Sequence, residues 1–158
     1  MSALDAKRLI ELLRLEPLPI EGGHFRQTWR SAAGTAIYYL LSDDADSFSA
    51  LHRLTSDEIY HFYLGDPVEM LMLHDGGRVE SVTLGRDLEA GQRVQHVAPA
   101  GVFQGSRLRD GGRFALLGTT MAPGFDPDGC EFGDRERLTL EFPGAAAQIQ
   151  KLTRRSRG

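Results

Sequence analysis

Across residues 21–132 the chain is cut into short apolar or alternating runs by turn-forming residues, and this punctuation limits the fold more than any other feature. The breaks fall at Asp43-Asp44, Gly65-Asp66-Pro67, Asp75-Gly76-Gly77, Gly91, Pro99-Ala100-Gly101 and Asp110-Gly111-Gly112. Glycine, proline and aspartate supply the backbone angles and local hydrogen bonds that reverse a chain. Between them the spacing predicts strands at 24–30, 35–41, 48–54, 59–64, 68–73, 79–84, 94–98, 103–108 and 114–121. Each strand has a face to bury and must meet a second sheet to do so, which gives an all-β sandwich or barrel. A jelly roll of two antiparallel sheets meets the strand count.

The flanks read differently. Ser2 with Asp5 resembles a helix-capping pair, and Ala6, Leu9, Ile10 and Leu13 recur on one helical face, predicting a helix over 3–14 that Pro17 and Pro19 stop. Asp134 is a candidate N-cap for helices over 134–152, broken at Pro143-Gly144, and 153–158 reads as a basic tail. With 158 residues, 41% of them hydrophobic, the chain suffices for one domain over 1–158 with a single barrel.

Charge excludes some partners. Twenty-two acidic against 18 basic side chains leave a net charge of −4, so a nucleic-acid-binding surface is disfavoured. Lys151, Arg154, Arg155 and Arg157 cluster at the end, where a solvated tail is expected. No apolar run approaches the ~20 residues of a membrane helix. The lone Cys130 has no internal disulfide partner, and the first residues lack a secretory pattern, so a cytoplasmic protein without a membrane partner is expected.

Chemistry concentrates in two places. His52 is followed by Glu58 and Gly65, and Gly91 by Pro99-Ala100-Gly101 and Gln104. In order and spacing these resemble the two motifs of the cupin superfamily, with Leu54 standing where the second histidine of the first motif belongs and Gln104 replacing the histidine of the second. The strings Glu21-Gly22-Gly23, the run from Ser56 to Pro67, and Ala122-Pro123-Gly124-Phe125 resemble a group of single-domain cupins of unassigned function. That group is similar in fold to the dTDP-keto-sugar epimerases. The resemblance implies a cupin jelly-roll barrel with short helices at both ends, and a small molecule bound inside it.

Residues two apart on a strand point the same way, so a His-x-His pair holds a metal from one strand. Leu54 removes one such ligand, and an amide oxygen at Gln104 is a poor substitute for imidazole. His52 and Glu58 are then the only strong ligands at the inherited positions, short of the three that catalytic metals usually take. No metal and no cofactor are therefore expected.

The site expected from these residues is an acid–base constellation. His52 serves as base, Glu58 orients it, and Tyr39 or Tyr60 supplies a phenol as acid. Gln104 and Phe62 line the ligand pocket, Arg26 meets an anionic substituent, and His61 joins the ligand-binding set only where a bulge turns it inward. The corresponding function is a metal-independent isomerase or epimerase acting on a sugar-like or polar cyclic substrate. The alternatives are a non-catalytic binding or sensing module and, further off, a metal-dependent cupin oxygenase. A homodimer is expected because jelly-roll edges need cover, with strand 24–30 exchanged and Phe25 and Trp29 anchoring the interface.

Overall fold

A computed structural model describes residues 3–155. The chain runs α1 (Ala6–Leu13), β1 (Glu16–Pro17), β2 (His24–Ser31), β3 (Gly34–Ser42), β4 (Phe48–Leu54), β5 (Glu58–Gly65), β6 (Val68–Leu73), β7 (Val79–Leu84), β8 (Gln95–Ala98), β9 (Phe103–Leu108), β10 (Phe114–Met121), β11 (Cys130–Phe132), α2 (Arg135–Glu141) and α3 (Ala146–Lys151). Six strands form one antiparallel sheet in the order β1-β2-β3-β10-β5-β8, and five form the other in the order β11-β4-β9-β6-β7. The jelly roll is thus the observed fold. All nine expected strands are present within about two residues. Two were not expected, β1 and β11, and both are too short to carry an alternating pattern.

Three apolar layers hold the sheets. The inner faces share Tyr39, Leu41, Phe62, Met70, Met72, Leu84 and Leu117. The outer face of the six-stranded sheet is covered by α1 and the residues after it, where Leu9 and Leu15 meet Leu40 and Leu116. The outer face of the five-stranded sheet is covered by α2 and α3, with Leu138, Phe142 and Ile149 over Leu51, Leu71 and Phe103. Helix α1 is capped by Asp5, whose carboxylate accepts from the Arg8 amide at 2.7 Å; the Ser2 end of the expected capping pair lies outside the described residues.

The expectation of a solvated basic tail is corrected at Arg154. Its guanidinium donates to the carbonyls of Ile20, at 2.8 Å, and Asp46, at 3.1 Å, and stacks on Phe48 with 4.2 Å to the ring centroid. The residue closes the chain end onto the β1–β2 and β3–β4 loops, whose carbonyls a fork-shaped cation can reach together. Arg157 lies outside the described residues.

Candidate functional site in the barrel mouth

The loop before β2 delivers the residue that organises the site. Gly22 and Gly23 have φ of +103° and +74°, a region L side chains rarely adopt. A Cβ on Gly22 would also collide with the Phe48 carbonyl and Arg154, and one on Gly23 would come within 2.8 Å of the Tyr39 hydroxyl. Ile20, just before, is held at φ 69° without the excuse of glycine. This tight turn aims Glu21 into the barrel.

There Glu21 meets His52. The imidazole Nε2 lies 3.0 Å from Glu21 Oε1, and Nδ1 lies 2.7 Å from the Ala50 carbonyl. A carbonyl and a carboxylate both accept, so both ring nitrogens donate and the ring is an imidazolium. Burial alone would lower its pKa, but the charge and hydrogen bond of Glu21 outweigh burial and raise it to about 9. Ser49 Oγ donates to the same Glu21 oxygen at 3.2 Å. The expected role of His52 as base is therefore corrected: it is protonated at neutral pH, and the carboxylate that orients it is Glu21, not Glu58.

Glu58 opens β5, opposite Met121 of β10 and Ala98 of β8. It is 7% exposed, and its Oε1 has no hydrogen-bond partner. Burial raises its pKa and the nearby Glu21 charge adds to that, while His52 and the hydroxyls of Thr119 and Tyr60 pull the other way. An unsatisfied buried carboxyl is costly to the fold.

His52 and Glu58 line a cavity of about 300 Å³ at one end of the barrel. Its remaining walls are mainly apolar: Leu18 and Ile20 from the loop, Phe25 and Ile37 from β2 and β3, Leu54 and Met121, and Phe125, Cys130 and Phe132 from the segment that crosses the mouth. Gln27, Thr35 and Thr119 add polar edges. The Cys130 thiol is raised to about 11 by burial, then by Glu21 and Glu58, so it is neutral and a poor nucleophile. A groove of about 310 Å³ elsewhere is lined by Glu69, Arg107 and Arg109, but Arg109 is paired with Glu69 and Arg107 with Asp110.

Several expected site residues stand elsewhere. Tyr39 donates to the Gly22 carbonyl at 2.7 Å and Tyr60 to Gln104 Oε1 at 2.6 Å, so both phenols and the Gln104 amide are committed behind the cavity and do not line it. Burial pushes both phenol pKa values well above their ordinary range, which corrects their assignment as acids. Phe62 is in the inner core rather than the cavity wall. Arg26 pairs with Tyr38 across the strands and lies over its ring at 5.5 Å, on the outer face, so it meets no ligand in the barrel. His61 also faces outward, stacked on Tyr63 and bonded to Thr120 at 2.8 Å, because the bulge in β5 falls after it, at Tyr63, and leaves its parity opposite to that of Glu58. A register shift does fall between Gln27 and Trp29. It sends Phe25 inward and Trp29 outward, so the two cannot anchor one interface as expected.

Sequence reasoning did not select Glu21, Cys130 or the aromatic wall. The only signal for Glu21 was its place before two glycines, since a carboxylate on a left-handed turn at a strand entrance is poised to enter the barrel.

A metal does not fit this set. Both ring nitrogens of His52 are engaged by protein acceptors, the Ala50 carbonyl and Glu21, so a metal would have to displace one of them. The two other motif positions hold a leucine and a glutamine whose oxygen is taken by Tyr60. Among the described residues no three His, Cys, Asp or Glu side chains are arranged to hold an ion.

A two-sheet antiparallel jelly roll with a histidine and a glutamate from adjacent motif strands turned into its mouth defines a cupin. The chain belongs to the cupin superfamily, in the family described as Cupin superfamily (DUF985), whose model matches residues 7–133. It is 28% identical to Uncharacterized protein YML079W of Saccharomyces cerevisiae, over 84% of this chain and 78% of that protein. Among solved structures it resembles protein SO0799 from Shewanella oneidensis, with 34% identity, a TM-score of 0.89 and coverage of 96% and 99% of the two chains. A hypothetical protein from Leishmania major is 29% identical with a TM-score of 0.87, covering 96% of this chain and 100% of that one. Oxalate decarboxylase from Bacillus subtilis, at 13% identity and a TM-score of 0.58, shares the fold alone; the match covers 87% of this chain and 37% of that longer one. No helix among the described residues is long and apolar enough to cross a membrane.

Proposed function

We propose that this protein is a small-molecule-binding cupin whose barrel mouth takes a compact, largely apolar ligand and meets its polar end with Glu58. The observation that carries this reading is the unpartnered Oε1 of a buried carboxyl in a cavity of about 300 Å³. Small-molecule sites combine apolar walls with a few convergent polar groups, and the mouth has that composition. The apolar walls favour a ring with one or two polar substituents over a polyhydroxylated sugar.

The catalytic form of this reading is a metal-independent isomerase or epimerase with roles reassigned. Glu58, its pKa raised by burial, accepts a proton from the substrate, and the His52 imidazolium supplies a fixed positive charge beside the charge that develops. Glu21 holds that imidazolium in place. The non-catalytic alternative, a binding or sensing module, uses the same residues without turnover. The engaged His52 nitrogens speak against a metal-dependent oxygenase.

A fragment screen read by amide NMR tests the site. Hits are expected to shift Thr119, Cys130 and Phe132 and to be lost in Ile37→Trp, which fills the cavity. Hits that cluster in the Glu69–Arg107 groove, or survive the tryptophan, contradict the reading. A homodimer is proposed as well, supported by Trp29, half exposed on β2 next to an edge covered only by the two-residue β1. Light scattering showing monomer alone at micromolar concentration counts against it.

A further inference from the structure

We propose that the ligand of the barrel mouth is a cation: a protonated amine or amidine carried on an apolar, ring-sized body. The inference rests on the small-molecule reading above and specifies its chemistry. Glu21 and Glu58 both line the cavity, while among the described residues neither lysine nor arginine does. The one positive group, the His52 imidazolium, is matched by Glu21 at 3.0 Å. Arg154 does not line the cavity, and it spends its donors on the backbone carbonyls of Ile20, Glu21 and Asp46. Glu58 is the remaining charge-bearing group of the lining, 7% exposed, and its Oε1 is buried with no hydrogen-bond partner.

A ligand ammonium in the cavity pairs with the Glu58 carboxylate away from bulk water, where such a pair is stronger than at a surface. Phe25, Phe125 and Phe132 stand around the same space, and aromatic faces attract cations. A carboxylate or phosphate on the ligand would instead face two glutamates with only one shared countercharge. A neutral alcohol would donate to the carboxylate without the Coulomb gain.

The test uses three probes of one shape, benzylamine, benzyl alcohol and benzoate, titrated at pH 7.5 into the full-length protein and followed by amide NMR at Thr119 and Cys130. Benzylamine is expected to bind about tenfold or more tightly than benzyl alcohol, with benzoate producing no mouth shifts, and Glu58→Gln to bring benzylamine down to the alcohol. Benzyl alcohol or benzoate binding as well as benzylamine overturns the cationic assignment while leaving the small-molecule site intact. No shift at the mouth with any of the three overturns both. The wild-type ranking decides on its own if Glu58→Gln does not fold.

Discussion

The two ends of the barrel interior are both lined by inward-facing strand residues, yet they are filled in opposite ways. At the closed end Val68, Met70, Met72, Val82 and Leu84 are buried against Leu108 and Ala115. At the open end Leu54, Ile37 and Met121 line a cavity, and the charge-bearing residues among them are a histidine and two glutamates. Between the two lies a layer of matched polar groups, Tyr39 on Gly22 and Tyr60 on Gln104. The closed end stabilises the fold, and the middle layer neither costs nor offers much. Glu58, at the open end, is a group that the fold leaves unsatisfied; the two others among the described residues, His24 Nδ1 and Arg26 Nε, belong to β2 and do not line the cavity. This gradient separates a packed core from a binding site more clearly than any single motif residue does.

The sharpest way to break the comparison is to make one substitution at both ends. Leu117 is 1% exposed in the packed layer, and Leu117→Ala should cost about 3–5 kcal/mol in urea unfolding because the void cannot close. Leu54 already borders open space, so Leu54→Ala should cost about half as much, roughly 2 kcal/mol. Equal losses would mean that the mouth is packed like the core.

The second effect is on pH dependence. His52 has a folded pKa of about 9 against 6.5 unfolded, so its contribution is fully present below about pH 6.5 and is lost as pH rises through 9. Glu58 is also raised, so it too favours the fold at low pH and withdraws support as pH rises above its unfolded value. The two slopes add. The groups that face His52 are Glu21, which raises its pKa, and Glu58, which does so less. Stability measured by denaturation should fall by on the order of 3 kcal/mol between pH 6 and pH 9.5. Glu21→Gln should flatten most of that slope and bring the His52 titration, followed by imidazole NMR, below 7. A slope that persists in Glu21→Gln would show that the pair does not control the mouth.

A smaller effect is expected at the chain end. Arg154→Ala releases the Ile20 and Asp46 carbonyls and should cost about 1–2 kcal/mol, while lowering the His52 pKa because the Glu21 loop loosens. A stability loss with an unmoved His52 titration would mean that Arg154 supports the fold without positioning Glu21.

The barrel was legible in the sequence because turn residues mark strand ends locally. Asp110-Gly111-Gly112 and Gly65-Asp66-Pro67 carry their own geometry, and alternation between them needs no knowledge of the partner sheet. His52 and Glu58 were legible for the same reason, since their parity on β4 and β5 follows from the spacing. Their roles were not, because a role depends on partners far along the chain. Glu21 lies 31 residues before His52, and only the positive-φ turn at Gly22-Gly23 brings them together. Arg26 was misplaced because strand alternation does not say which of two faces is inner. Phe25 and Trp29 were paired wrongly because a one-residue bulge after Gln27 flips parity and leaves no mark in composition.

Urea denaturation of Glu58→Met at pH 8, run beside benzylamine binding by the same protein, tests most directly whether the carboxyl is kept for a ligand rather than for the fold. Methionine matches the glutamate in size and removes the buried, unsatisfied charge, so the variant should be more stable than wild type by about 1 kcal/mol and should lose the benzylamine-induced shifts at the mouth. A variant less stable than wild type, or one that still binds the amine as tightly, would contradict a ligand-dedicated Glu58.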